Sequence, residues 1–360
     1  MKIKEKISSG MGGAIAILFL TALAFISCGT ASVTTIYVPD TYTTIQWAVD
    51  NATAGDTIIV RDATYTENVD VNKRLTIHSE NGAANCIVSA TNTGDHVFEV
   101  TANYVNISGF TIIGATNNSK AGVYIDSVGH CNISDNIVSN NFFGIYLENS
   151  SSNKVTNNNA NMNKQANILM YSSCGNNMLT NNTASYSGTG IYMYSSCCNN
   201  MLTNNTASYG STGIYIMLDS CYNTITNNTA SENEYGIYMF SSCNNNLTGN
   251  IANSNTGEYG GISLVSDAND NTLTSNIVSN NSQYGIYLFY SRDNNLSSNN
   301  VNTNSDYGIY LNASSDNLIY NNYFNNTNNA YDDETNIWNT TNTTEPNIVS
   351  GPYIGGNYWS

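Results

Sequence analysis

Aromatic residues recur at a fixed phase along most of the chain, and their side chains could bind a ligand. One row follows Gly-Ile, or a variant of it, about every 23 residues, and a second row lies two positions further on. Together the rows comprise Tyr124, Tyr146, Tyr171, Tyr192, Tyr194, Tyr215, Tyr238, Phe240, Tyr287, Phe289 and Tyr310. Aromatic rings present large apolar faces on which sugar rings or a protein partner can pack. The alternative is that the rings only stack on one another and stabilise a sheet.

A group of sulfur ligands occupies neighbouring repeats. Its members are Cys174, Cys197, Cys198, Met178 and Met201. Copper(I) prefers such soft ligands, so copper is the cofactor that this group could hold. A buried ladder of cysteines is a second interpretation, because free Cys behaves as a small hydrophobic residue. Disulfides are a third, although equivalent positions on stacked repeats hold their Cβ atoms nearly parallel and farther apart than a bridge prefers.

Two acidic residues, Asp126 and Glu148, occupy the same outward position on successive repeats. Carboxylates about 5 Å apart can serve as an acid/base pair or as a cation site. Solvated acidic side chains are the alternative, because a lyase or epimerase would also need a nearby basic residue. We therefore assign no catalytic residue. The three histidines, His78, His96 and His130, show no ligand spacing.

These side chains must be positioned by a repeated element. Residues 170–192 and 193–215 are almost copies of each other. Apolar residues alternate within each repeat, as in Ile145 and Leu147, which indicates short strands and not helices. Asn and Gly separate the strands and suit tight corners. The pattern predicts an all-β fold, a right-handed parallel β-helix of about nine near-identical coils stacked about 4.8 Å apart.

An asparagine column repeats with the same period as the aromatic rows. It comprises Asn136, Asn158, Asn182, Asn205, Asn228, Asn250, Asn276, Asn299 and Asn322. Asn side chains at successive corners can hydrogen-bond up and down a stack. We interpret this column as structural.

The first 31 residues are typical of a secretory signal peptide. Lys2, Lys4 and Lys6 precede an apolar run, and small residues follow it. The run is too short to span a membrane comfortably, so we expect no transmembrane span in the mature chain. Cleavage after Ala31 and lipid modification at Cys28 are the main alternatives, and an uncleaved membrane anchor is a third. All of them place the protein outside the cell or in the envelope.

The remaining chain divides into three segments. Residues 32–115 are predicted to form an N-terminal cap and the first irregular coils, with a capping helix over Thr43–Asn51. Residues 116–327 hold the regular coils. Residues 328–360 lose the repeat and are expected to close the last coil.

Composition excludes some partners. The formal net charge is −16, and Lys and Arg are scarce. Nucleic acids and anionic membrane surfaces require clustered basic residues, so both are poor partner candidates. Asn-x-Ser/Thr sequons recur, among them Asn181, Asn204, Asn227, Asn246 and Asn339, which indicates a glycoprotein if the chain is exported.

With these residues in hand, the chain resembles the NosD-like β-helix proteins, part of a wider group of carbohydrate-binding and sugar-hydrolysing β-helices with the pectin-lyase-like fold. The match begins at Ile36–Val38, continues through the Gly-Ile-Tyr coils and ends at Gly355–Ser360. The resemblance implies an archaeal surface protein and an association with copper. Relatives often extend past the closing Tyr-Trp-Ser, so we expect a short or truncated member.

Three hypotheses follow. The first is a non-catalytic surface β-helix that binds cell-wall or extracellular glycan, or an envelope protein, through the aromatic rows. The second is an exported copper-binding protein that uses the sulfur ligands. The third is a polysaccharide lyase, hydrolase or epimerase that uses Asp126 and Glu148.

Overall fold

The computed structural model describes residues 33–360, which form a parallel β-helix. The predicted signal peptide and Cys28 lie outside the described residues. Each coil contributes strands to the walls of a solenoid, and identical strands of successive coils pair in parallel. The predicted fold is therefore confirmed. The regular coils continue a stack that the irregular N-terminal coils begin, so the longest sheet has 13 strands.

Two long sheets form two of the walls. Sheet 1 consists of Thr35–Val38, Thr57–Val60, Thr76–Ser79, Asn106–Ser108, Asn132–Ser134, Lys154–Thr156, Met178–Thr180, Met201–Thr203, Thr224–Thr226, Asn246–Thr248, Thr272–Thr274, Asn295–Ser297 and Leu318–Tyr320. Sheet 2 consists of Val69–Val71, Phe98–Val100, Ala121–Asp126, Phe143–Glu148, Ala166–Tyr171, Thr189–Tyr194, Thr212–Met217, Tyr235–Phe240, Ile262–Val265, Ile286–Phe289, Tyr307–Asn312 and Asn328–Asp332.

The third wall is thinner and consists of two four-stranded sheets. The N-terminal one holds Ala63–Thr66, Cys86–Ser89, Thr111–Ile113 and Ile137–Val138, and the C-terminal one holds Ile277–Ser279, Asn300–Asn302, Tyr323–Asn325 and Tyr358–Trp359. Single parallel bridges join them across the intervening coils, for example Thr183 to Thr206 and Thr206 to Thr229.

The core is a column of apolar side chains inside the solenoid. Alternation along each strand directs every second residue inward. In Phe143–Glu148, both Ile145 and Leu147 are fully buried, and the register aligns them with apolar residues of the neighbouring coils, such as Ile168 and Met170. Each coil thus repeats the burial of the one below it, and this repetition sets the register.

The corners use left-handed backbone. Many of these positions are Asn, Asp or Ser, which tolerate positive φ better than bulky residues do. One such corner interrupts the extended segment 105–113: Gly109 has a φ of 76°, and a side chain there would collide with the Ser79 hydroxyl. The structure therefore has two strands, Asn106–Ser108 and Thr111–Ile113.

The predicted asparagine column is a buried ladder. Asn205 illustrates its bonding: its Nδ2 donates to the Leu179 carbonyl and to Asn228 Oδ1, while its Oδ1 accepts from the backbone N–H and Nδ2 of Asn182. Other corners carry further ladders that the sequence reasoning missed, such as Asn177, Asn200 and Asn223. The structural interpretation of these residues is confirmed.

The ends are closed by different elements. The helix Ile45–Asn51 covers the first coils, and its N-cap Thr44 accepts a hydrogen bond from the Trp47 N–H. At the C-terminal end, Trp359 stacks on Phe324 with ring centroids 4.9 Å apart. Among residues 33–360, no helix is long and apolar enough to cross a membrane.

Candidate functional site

The aromatic rows lie on the outer surface of sheet 2. Ile145 and Leu147 point inward, so Tyr146 between them points outward. Strand register aligns Tyr124 with Tyr146, and Tyr192 with Tyr215 and Tyr238. The predicted parity of the rows is therefore correct.

The rings contact one another from coil to coil. Tyr171 and Tyr194 stack with centroids 5.3 Å apart, and Tyr192 and Tyr215 stack at 5.0 Å. Leu169 replaces the aromatic residue of the first row in one coil. Tyr171 and Tyr194 of the second row connect the rings on either side of it, because Tyr171 contacts Tyr146 and Tyr194 contacts Tyr192.

A third row was missed by the sequence reasoning. Tyr235, Tyr259, Tyr284 and Tyr307 precede the repeated Gly, and their rings join those of the first row. Tyr259 bridges the coil in which Ser263 replaces the expected Tyr, since it contacts rings on both sides. The recurrence of a Tyr-Gly pair in several repeats could have predicted this row from the sequence.

We call the combined surface the aromatic stripe. It consists of Tyr124, Tyr146, Tyr171, Tyr192, Tyr194, Tyr215, Tyr235, Tyr238, Phe240, Tyr259, Tyr284, Tyr287, Phe289, Tyr307, Tyr310 and Tyr331. Ring-to-ring contacts run without a break from Tyr124 to Tyr331. A cleft opens in it between Thr212, Tyr215, Tyr235, Tyr238 and Tyr259.

The stripe is less exposed than outward parity alone implies. Tyr171 is 38% exposed, but Tyr146 and Tyr287 are only 9% and 8% exposed. The reason is that coils stacked about 4.8 Å apart bring neighbouring rings into contact, so each ring covers the next. Burial raises the pKa of the Tyr192 and Tyr238 phenols, and raises that of Tyr287 to about 12. The hydroxyls therefore stay protonated at neutral pH and can both donate and accept hydrogen bonds.

Acidic residues occupy the N-terminal end of the stripe. Glu148 Oε2 accepts hydrogen bonds from the hydroxyls of Tyr124 (2.6 Å) and Tyr146 (3.0 Å). Asp126 lies beside Glu148 in the register, as predicted. Glu99 lies on the coil before Tyr124, and burial, together with the charge of Asp70, raises the pKa of its carboxyl group.

His96 flanks the same end of the stripe. Its ring stacks on Tyr124 with centroids 4.2 Å apart. Its Nδ1 accepts a hydrogen bond from the Ala121 N–H, which requires a neutral imidazole protonated at Nε2. Burial lowers the pKa of this imidazole to about 4, and the charge of Lys120 acts in the same direction.

The sulfur ligands are not brought together as one group. Cys174 and Cys197 are fully buried, and their Sγ atoms donate to backbone carbonyls, that of Cys174 to Leu147 and that of Cys197 to Met170. Met178 and Met201 project from the outer surface of sheet 1 and are exposed. The wall of the solenoid therefore separates the buried thiols from the thioethers.

Three other thiols lie close together at a corner. Cys221 and Cys243 have Sγ atoms 2.8 Å apart, and the Cys198 Sγ accepts from the Cys221 N–H. All cysteines among residues 33–360 are free. Within that part of the chain, no group of three or more His, Cys, Asp or Glu side chains has the arrangement of a metal site. The predicted copper ligands thus do not fit a single copper ion.

Most of the described chain matches the model of one protein family. Residues 49–229 and 196–360 match the family model described as "Periplasmic copper-binding protein (NosD)". A cell surface glycoprotein of Methanothermus fervidus is 40% identical over 116 residues. That match covers 32% of this chain and 18% of the relative, so the chain spans only a small part of its length.

Solved structures share the fold at low sequence identity. The catalytic domain of a GH87 α-1,3-glucanase, solved with tetrasaccharides, matches with a TM-score of 0.72 at 14% identity, covering 84% of this chain and 68% of that chain. The A-module of a mannuronan C-5 epimerase from Azotobacter vinelandii matches with a TM-score of 0.65 at 13% identity, covering 81% and 92%. These likenesses establish the fold, a right-handed parallel β-helix.

Proposed function

The chain belongs to the NosD family, and from that premise we propose that it is a surface β-helix protein that binds carbohydrate non-catalytically along the aromatic stripe. The observation that carries the proposal is the unbroken run of ring contacts from Tyr124 to Tyr331 on one outer wall. The alternative occupant of the same surface is an envelope protein.

The stripe exceeds what the fold needs. Sheet 1 is built from the same stack of coils but carries mostly Thr, Asn and Ser outward, as in Thr224–Thr226 and Asn246–Thr248. Stacking strands in this chain therefore does not require outward aromatic residues. Rows of rings with protonated hydroxyls suit sugars, which present apolar ring faces and a rim of hydroxyl groups.

Placement at the cell surface is supported by the partly matching relative, a cell surface glycoprotein. The sequon residues Asn181, Asn204, Asn227, Asn246 and Asn339 are all exposed, so glycans could attach without disturbing the coils. Intact mass before and after deglycosylation of the protein from its native source tests this point.

The carbohydrate proposal is tested by replacing rings that line the cleft. Tyr215→Ser with Tyr238→Ser is expected to reduce retention on purified cell-wall glycan by about tenfold, because two adjacent stacking surfaces are lost. Tyr186→Ser with Tyr209→Ser is the matched control, since these two rings also stack, 4.9 Å apart, but lie outside the stripe. Equal retention by both double variants would exclude the stripe as the binding surface.

A second candidate function is cleavage or epimerisation of a polysaccharide. It is favoured by the carboxyl groups at the N-terminal end of the stripe, where a sugar bound along the rings would meet Glu99, Asp126 and Glu148. Glu99 is the strongest candidate acid because its raised pKa keeps it protonated to a higher pH. New reducing ends or inverted uronate residues, lost in Glu99→Gln, would establish this activity over the non-catalytic one.

Copper binding is the remaining alternative, and the family description is its support. A copper(I) titration of the protein and of a variant with Cys174, Cys197 and Cys198 changed to Ser decides whether these residues take part. Since the structure does not assemble the predicted ligands, we expect the same stoichiometry for both proteins.

A further inference from the structure

A second surface, separate from the aromatic stripe, lies on the outside of sheet 1 in the N-terminal coils. Two adjoining clefts share Tyr104, Asn106 and His130 and form one groove. We call it the basic groove, and its lining consists of Gly55, Arg74, Leu75, Thr76, Tyr104, Asn106, His130, Cys131, Asn132, Ser152 and Lys154.

Among residues 33–360, the groove holds two basic side chains, Arg74 and Lys154, that have no anionic partner. Elsewhere in the described part of the chain, Arg61 pairs with Asp40 and Glu80, Lys120 with Asp95, and Arg292 with Asp293, while Lys73 donates to three backbone carbonyls. Lys164 lies over the Phe142 ring. Within residues 33–360, neither Arg74 nor Lys154 forms an ion pair, and both line this groove.

Two stacked rings form the floor between these charges. Tyr104 and His130 stack with centroids 4.8 Å apart, and the Arg74 guanidinium lies 5.9 Å from the Tyr104 centroid. The oxygens Oδ1 of Asn106 and Asn132 accept no hydrogen bond from any described residue, although both amides line the groove. The floor thus combines an apolar stacking surface with unused hydrogen-bond acceptors.

The rings stand at corner positions that normally take small polar residues. Tyr104 and His130 have φ values of 62° and 61°, and the next two coils place Ser152 and Asn176 at the equivalent corner. Bulky side chains are disfavoured at positive φ. Backbone strain of this kind is concentrated at ligand-binding and other functional sites. At the C-terminal end of the same corner column stand Asp270, Asp293 and Asp316. The column also holds Tyr222, but only its N-terminal end combines Arg74 with two successive rings, and its C-terminal end carries three carboxylates.

We propose that the basic groove binds an anionic saccharide, one that carries a carboxylate or sulfate on its ring. The guanidinium of Arg74 can hold an oxyanion through two parallel N–H donors, and Lys154 supplies a second positive charge three coils away. The Tyr104 and His130 rings support the sugar face, and the free amide oxygens accept from its hydroxyls. The proposal does not depend on the aromatic stripe.

Calorimetric titration with three probes tests the proposal: tetragalacturonate, its fully methyl-esterified form, and a κ-carrageenan tetrasaccharide. We expect one or both charged probes to bind at least about tenfold more tightly than the neutral ester, and to weaken as salt is added. A preference between the first and third probes identifies the carboxylate or the sulfate as the recognised group. Absence of binding by both charged probes at millimolar concentration would overturn the proposal, as would equal binding of the ester.

Variants locate the binding. Arg74→Gln with Lys154→Gln is expected to weaken binding of the charged probe at least about tenfold. Lys164→Gln is the matched charge control and should bind as the parent does. Tyr104→Asn keeps a residue type that tolerates the left-handed corner, so it tests the ring without disturbing the fold. The groove is rejected if Lys164→Gln weakens binding as much as the double variant, or if the double variant binds normally. Tyr215→Ser with Tyr238→Ser should leave this affinity unchanged.

Discussion

His96 shows how a single buried residue links this fold to pH. Its pKa of about 4 in the folded chain lies below the ordinary 6.5 because burial disfavours the charged ring. The unfolded chain takes up a proton as the pH falls through about 6.5, whereas the folded chain does so only near 4. The contribution of His96 to stability is therefore complete above pH 6.5 and is lost as the pH falls towards 4.

The expected size of this effect is about 3 kcal/mol between pH 7 and pH 4. His96→Gln should flatten the pH dependence of the free energy of unfolding over that interval, because Gln can accept the Ala121 N–H bond but does not titrate. Urea unfolding at several pH values measures it. An unchanged slope in the variant would show that other groups dominate the acid response.

The cysteines should differ in reactivity according to burial. Cys174 and Cys197 are fully buried, whereas Cys198 is partly exposed. Burial and hydrogen bonding to Cys243 raise the pKa of the Cys221 thiol to about 12. We expect iodoacetamide to alkylate Cys198 first in the native protein and to reach Cys174 and Cys197 only after unfolding. Peptide mass spectrometry over time gives the order. Alkylation of Cys174 as fast as Cys198 would contradict the buried placement.

At the scale of the element, the asparagine ladders hold the corners. Asn205→Ala would leave the Asn182 backbone N–H without its partner in a buried corner. It would also remove the bond to the Leu179 carbonyl and one of the two bonds that the Asn182 side-chain amide donates. The expected loss is about 3 kcal/mol of unfolding free energy, since buried polar groups are costly when unpaired. Denaturant unfolding measures this loss. Asn246→Ala is the control, because the Asn246 side chain is exposed and its only hydrogen bond among the described residues is accepted from the Thr248 hydroxyl, so the effect should stay within about 0.5 kcal/mol. Equal losses in the two variants would count against the ladder as a stabilising element.

The repeated strands and corners of the coils could be predicted from the sequence. The Gly-Ile-Tyr phase and the Asn136 to Asn322 column define strand, corner and register, because stacked coils impose the same burial at the same position. Further ladders, such as Asn177 to Asn223, went unnoticed since adjacent asparagines in each repeat hide a second column.

The candidate sites were less predictable because they depend on packing between side chains. Parity placed Tyr146 and Tyr287 outside the core, but mutual covering by neighbouring rings leaves them nearly buried. Similarly, Met178 follows Cys174 by four residues, yet the wall of the solenoid separates them. Arg74, His130 and Lys154 lie far apart in sequence, and an irregular coil carries Arg74. Their common groove therefore had no periodic signal.

At the scale of the whole molecule, the coils form a one-dimensional stack in which each coil contacts only its neighbours. Residues 193–215 are one complete coil, and register pairs Met193 with Ile216. Deleting 193–215 therefore joins Tyr192 to Ile216 in phase. The ladder would then connect Asn182 with Asn228, and apolar residues would still meet apolar residues in the core.

We expect the protein lacking residues 193–215 to fold, with a melting temperature no more than about 5 °C below that of the parent chain. Deleting 193–204 is the control: it removes about half a coil, which directs core residues to the corners and should prevent cooperative folding. Circular dichroism with thermal melting distinguishes the two. If the complete-coil deletion also failed to fold, the coils would be globally coupled, and ligand binding at the stripe could then influence the distant basic groove. If it folds, the two surfaces behave as independent sites on a common scaffold.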